Sequence, residues 1–86
     1  MTPLKDHIRK NGYDYFQEQE CAHGYLYRQE LHGEFIGYEV FRRKENERFG
    51  CISFPGGEAF GVWAWSFWGD GARGRALAKF ESIQSQ

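Results

Sequence analysis

The stretch Gly24-Tyr25-Leu26-Tyr27-Arg28-Gln29-Glu30-Leu31-His32-Gly33-Glu34-Phe35-Ile36-Gly37-Tyr38-Glu39-Val40-Phe41 decides the fold. Two β-type runs flank His32-Gly33. A two-residue connection ending in Gly, set between alternating runs, is a tight-hairpin signal. Such a turn sets Tyr27 opposite Tyr38 and Tyr25 opposite Val40, with Leu31 on the same face. The other face then carries Leu26, Arg28, Glu30, Phe35, Glu39 and Phe41. One face is apolar and the other mixed, so a one-residue slip would exchange them; that asymmetry pins the register. Each cross-strand aromatic pair adds roughly 0.2–1 kcal/mol.

Downstream of the hairpin, Arg42-Arg43-Lys44-Glu45-Asn46-Glu47-Arg48 mixes both signs and reads as a solvated connector. Phe49 to Phe54 reads as a further strand, and Pro55-Gly56-Gly57 as a turn. Val62 to Trp68 alternates, with Trp63, Trp65 and Phe67 on one side and Val62, Ala64, Ser66 and Trp68 on the other; a period of two predicts a strand. Asp70 is placed to cap a final helix over 71–83, whose apolar stripe is Ala72, Ala76, Leu77, Phe80 and Ile83. Upstream, residues 13–22 read as a polar strand, with a helix over 14–21 as the competitor. Leu4 and Ile8, four apart among charges, predict a short helical turn over 4–10, started by Thr2-Pro3 and stopped by Asn11-Gly12. The expectation is one α+β domain over residues 1–86. It has an antiparallel sheet of three to five strands, a C-terminal helix on one face and a short N-terminal helical turn.

Composition narrows the function classes. Eleven Lys and Arg stand against twelve Asp and Glu, a net charge of −1, which creates no global field to draw in nucleic acid or an anionic membrane. No apolar run is long enough to span a bilayer. The first residues lack an apolar core of signal-peptide length, so the expected setting is the cytoplasm, with Cys21 and Cys51 as thiols.

Cys21, His23, His32 and Cys51 are zinc-ligand types, but Cys21-x-His23 does not supply the two close pairs of a structural site, so no metal is expected. Cys51 sits in an apolar run, where a thiol behaves as a small hydrophobe. There is no nucleophile elbow, phosphate loop or dinucleotide fingerprint. The chain therefore reads as non-catalytic and without a cofactor.

The aromatic content, 19%, is the distinctive number. A chain this short buries only about 60–65% of its unfolded surface, so it struggles to cover both faces of an aromatic sheet. Leu26, Phe35, Phe41 and Trp68 are the expected exposed patch, with Arg28, Arg42 and Arg43 as its polar rim. Such a patch would take another protein or a second copy of the chain. The alternative is nucleic-acid binding through Arg42, Arg43, Lys44 and Arg48 with Arg73 and Arg75 of the last helix. A helix-flanked sheet resembles the double-stranded-RNA-binding fold in outline. The paired lysines that open that family's last helix are replaced here by Gly71-Ala72-Arg73.

The segment Phe54-Pro55-Gly56-Gly57-Glu58-Ala59-Phe60-Gly61-Val62-Trp63-Ala64-Trp65, with Tyr38-Glu39-Val40-Phe41 before it and Ala78-Lys79-Phe80 after it, resembles short uncharacterised bacterial proteins of phage and mobile-element genes. That resemblance implies a bacterial cytoplasmic setting and a small accessory role. It brings no activity and no catalytic residue.

Overall fold

The computed structural model describes all 86 residues. Seven strands and one helix follow in order: β1 His7–Lys10, β2 Tyr13–Cys21, β3 Gly24–Leu31, β4 Glu34–Arg42, β5 Glu45–Asn46, β6 Cys51–Ile52, β7 Ala64–Trp68 and α1 Ala72–Gln84, with a 3-10 turn at Gly57–Ala59. Five strands form an antiparallel sheet in the order β1-β2-β3-β4-β7, and β5 and β6 pair as a separate short ribbon. The helix packs across one face of that sheet, so the expected α+β architecture stands.

The hairpin turn is where the sequence places it. His32 and Gly33 both take positive φ, 51° and 81°, the conformation that matches the twist of the flanking strands. The same geometry recurs at Asn11 (54°) and Gly12 (83°). Those two residues do not stop a helix; they turn β1 into β2. The expected N-terminal helical turn is thus corrected to a strand, paired from His7↔Phe16 to Lys10↔Tyr13. Seven residues make a weak helix alone, whereas strand pairing sends Ile8 inward against the sheet core.

The predicted register holds only near the turn. Leu31↔Glu34 and Glu30↔Phe35 pair as expected, but Gln29 pairs with Gly37, leaving Ile36 as an extra residue in β4. From there Tyr27 faces Glu39 and Tyr25 faces Phe41. The bulge turns the rest of β4 over. Phe41 joins Tyr25 and Tyr27 on one face, while Tyr38 and Val40 join Leu26 on the other. A second bulge in β2 leaves Glu18 unpaired between Gln17↔Tyr27 and Gln19↔Leu26.

Two cores result, one on each face. Under α1 lie Leu26, Tyr38 and Val40 against Ala72, Ala76, Phe80 and Ile83, the stripe read from the sequence. The helix is not capped by Asp70: its N-cap is Gly71, in the left-handed region at φ 74°, with no side-chain cap. Gly24 allows the C-terminal end of α1 to sit close. A Cβ there would meet the Phe41 carbonyl at 2.5 Å and the Ile83 side chain at 3.0 Å.

The opposite face is covered by the connection from β4 to β7. Phe54 stands edge-on to Tyr15, Tyr27 and Phe41 at centroid distances of 5.0, 5.7 and 5.4 Å. This connection is not the single long strand expected over 49–54; only Cys51 and Ile52 are extended and paired. It is tied to the N-terminal segment by Thr2 N–H to Gly50 C=O (2.7 Å) and Ile52 N–H to Thr2 C=O (2.9 Å). Lys10 Nζ donates to the Pro55 carbonyl at 3.0 Å.

Among the buried residues one is an acid: Glu39, 5% exposed on the face under Phe54. Burial raises its pKa from 4.5 to about 7, and the charge of Lys10 partly offsets that rise. The folded chain therefore holds a proton that the unfolded chain releases near pH 4.5. Stability is fully present below that value and declines as pH rises to about 7, by on the order of 2–3 kcal/mol. The Tm of the wild type is expected to fall between pH 5 and pH 8, and that of Glu39→Gln to stay level over the same range; parallel curves would refute the assignment. Phe54→Ala is expected to lose about 3 kcal/mol in urea unfolding. A loss under 1 kcal/mol would mean that the second core does not depend on this ring.

Candidate interaction surfaces

The structure corrects half of the expected apolar patch. Leu26 and Phe41 are both 0% exposed. Leu26 lies beneath α1, and Phe41 lies beneath Phe54 and Trp63. For Phe41 the physical reason is the 43–63 connection, which lays a second layer over its face; for Leu26 it is α1, which packs on the other face. Phe35 and Trp68 are exposed, at 47% and 67%. They do not form one surface. Phe35 lies on the α1 side, 5.2 Å from the Tyr38 ring and 5.9 Å from the Arg28 guanidinium carbon. Phe67 packs under α1, so Trp68, one residue on, turns to the other side.

Trp68 ends β7, which is an edge of the sheet. The bond from Arg42 N–H to Trp63 C=O at 2.9 Å fixes the phase of the β4–β7 ladder. Backbone groups of Trp65 and Phe67 therefore face β4, and those of Ala64, Ser66 and Trp68 face outward. Ala64 C=O accepts from Gly61 N–H at 2.8 Å, and Trp68 C=O accepts from Arg75 Nη2 at 2.7 Å. Ser66 N–H and C=O and Trp68 N–H have no ladder partner on that side. A groove of about 370 Å³ runs along them, walled by Phe60, Trp65, Phe67 and Trp68. The two sheet edges differ in kind. The other edge, β1, reads His-Ile-Arg-Lys, the charged dressing that deters strand pairing. The sequence of β7, Ala-Trp-Ser-Phe-Trp, carries no charge.

A second hollow, about 510 Å³, lies where α1 begins, between Arg28, Phe35, Tyr38 and the Gly69–Gly74 segment. Both of its guanidinium groups are held in ion pairs, although Arg28 Nε is buried without a hydrogen-bond partner. Arg28 pairs with Glu30 at 2.6 Å, and Arg73 pairs with Glu18 at 2.5 Å and donates to the Tyr38 hydroxyl at 3.1 Å. The bulge at Glu18 is what brings that carboxylate to the helix.

The basic residues of the 42–48 segment also have partners within the chain. Arg43 pairs with Glu45 at 2.7 Å, which raises its pKa. Lys44 lies over Trp63, Arg48 over Phe49, and Arg42 over Trp65, with its guanidinium bonded to Gln86. Arg73 and Arg75 stand in the first turn of α1, while Arg42 meets the residue beyond its last turn. A helix of 13 residues separates them by about 20 Å. The structure thus does not bring the six candidate nucleic-acid residues into one patch. The interaction rim is divided likewise, with Arg28 at one end and Arg42 and Arg43 at the other.

Three residues at these surfaces were absent from the sequence-based set: Ser66, Phe60 and Glu39. Ser66 and Phe60 matter only because β7 is an edge, which no local pattern reveals. Simple alternation places Glu39 on the mixed face, and the Ile36 bulge turns it inward. Cys21 and Cys51 are free and half-buried, and no three His, Cys, Asp or Glu side chains gather as a metal site. No helix is long and apolar enough to cross a membrane. No family model, curated protein or solved structure matches the chain.

The tryptophans differ enough to be separated in solution. Trp63 and Trp65 are half-buried, with Lys44 Nζ 5.1 Å and Lys79 Nζ 3.9 Å from their ring centroids. Trp68→Phe is expected to remove most of the acrylamide-quenchable fluorescence, and Trp65→Phe to leave it in place. Unchanged quenching in Trp68→Phe would contradict the exposed position of that ring.

Proposed function

We propose that the chain is a non-catalytic interaction module that takes a short extended segment of another polypeptide along the outer edge of β7. The observation that carries this reading is the pairing of unmatched backbone groups at Ser66 and Trp68 with an uncharged aromatic groove beside them. An added strand gains main-chain hydrogen bonds from the edge, and its alternate side chains find their places on the flanking rings. Phe60, 37% exposed, and Trp68 offer such a place for one apolar side chain. Because β7 is uncharged, the favoured segment is uncharged as well. The Gly61–Ala64 contact closes one end of the edge, so the docked segment is only a few residues long.

A second copy of the chain is the other occupant of this class. The working setting is the reducing cytoplasm, in line with two free thiols, and the resemblance to bacterial mobile-element proteins suggests an accessory role there. Nucleic-acid binding is the weaker reading, because the arginines it needs are engaged within the chain and divided between the ends of α1.

The test is selection from a displayed peptide library, with sedimentation of the chain alone. Enriched peptides are expected to be uncharged, β-prone and apolar at alternate positions. Ser66→Pro removes an outward N–H, and Trp68→Lys places a charge in the groove; each is expected to weaken binding roughly tenfold or more. A dimer that both variants abolish would identify the second copy as the occupant. A monomer that enriches no peptide would remove the proposal.

A further inference from the structure

On the face away from α1, a cavity of about 170 Å³ opens between the β1–β2 turn, the middle of β4 and the Phe54–Gly57 turn. It shares only Phe60 with the β7 groove and is independent of strand docking. Glu39 forms part of its wall, and its Oε2 atom is buried with no hydrogen-bond partner. A buried acceptor left unmatched is uncommon in a folded protein and points to a missing donor. No neighbouring donor reaches that atom. Lys10 Nζ binds the Pro55 carbonyl, Gln29 Nε2 binds the Tyr15 hydroxyl (3.1 Å), and Gln17 Nε2 binds the Tyr27 hydroxyl (2.9 Å).

The cavity wall carries one acid and one base, Glu39 and Lys10. A lone cation entering it would meet the ammonium of Lys10, and a lone anion would meet the carboxylate of Glu39. A molecule bearing both charges a few ångströms apart answers both. Between them the wall is aromatic, with Tyr15, Phe54 and Phe60. Ring faces favour an ammonium group, and Lys10 Nζ already stands 5.5 Å from the Phe54 centroid.

We propose that this cavity is a binding site for a small zwitterionic amino acid, its ammonium held by Glu39 and its carboxylate by Lys10. The volume limits the ligand to a short side chain, and Gly56 and Gly57 add no side chains of their own to the wall. Binding requires ionised Glu39. The charged or titratable groups facing that carboxyl are Lys10 from β1, Tyr15 from β2 and Tyr27 from β3. Ser66 of β7 is uncharged, and the Glu58 carboxylate lies against Gly56, outside the cavity wall. With Glu39 titrating at about 7, affinity is expected to rise about tenfold from pH 6 to pH 8, while the amino acid's own charges stay fixed.

The test titrates the full chain with alanine, methylammonium and acetate, followed by backbone amide shifts of Glu39, Phe54, Gly56, Gly57 and Phe60. Alanine is expected to give saturable shifts confined to these residues, and the two half-ligands to bind at least tenfold more weakly. Glu39→Gln and Lys10→Met are each expected to weaken alanine binding at least tenfold. Should either variant fail to fold, Gly57→Leu serves in its place. A Cβ at 57 meets nothing within 4 Å, so the backbone there has room for a side chain, and Leu is chosen to narrow the mouth. Absence of saturation by alanine, equal binding of methylammonium, or undiminished binding to Gly57→Leu would each overturn the proposal.

Discussion

Everything in this molecule depends on covering a sheet from both sides with a short chain. One cover is the C-terminal helix. The other is the ring of Phe54, set edge-on against Tyr15, Tyr27 and Phe41 at 5.0–5.7 Å. That contact draws the β4–β7 connection across the open face. The connection has little regular structure of its own: two paired residues and one 3-10 turn. It holds its place through the aromatic contact, two backbone bonds to Thr2–Gly50–Ile52 and one lysine on Pro55. Edge-to-face packing suits this task, because it adds a directional preference to simple burial.

The second cover changes what is left for function. With both sheet faces occupied, exposed apolar surface survives at the margins: Phe35 near the start of α1, Trp68 and Phe60 along β7, Phe49 and Val62 on the connection. An argument from too little cover would locate function on a face. On the proposed reading it lies at an edge, where backbone hydrogen bonding adds to ring burial. The same cover also creates the interior hollow at Glu39, because a turn containing Gly56 and Gly57 has no side chains to fill the space beneath it.

Two single-residue bulges account for much of the difference between expectation and structure. At Ile36 the strand gains one residue and every later side chain of β4 changes face. That exchange buries Phe41 under Phe54, sends Tyr38 and Val40 under α1, and turns Glu39 inward. At Glu18 the extra residue frees a carboxylate that reaches Arg73. A bulge leaves no periodic trace. It is chosen by packing on both faces at once, so alternation within one strand cannot disclose it.

The sequence by itself determined the elements whose cause is local. The His32-Gly33 turn follows from residues that accept positive φ, the Ala72–Ile83 stripe from helical spacing, and the β7 strand from alternating rings. It also carried the antiparallel α+β class, since hairpins and one terminal helix admit few packings. Tertiary structure decided what depends on contacts between distant segments. Strand pairing across Asn11-Gly12 turned a marginal helical turn into an edge strand. The return of residues 43–63 over one face sealed Phe41 away, α1 sealed Leu26 on the other, and Trp68 was left outside. The reason is one of range: a turn or a stripe is fixed by neighbours a few residues off, whereas burial is fixed by whichever remote segment arrives to exclude water.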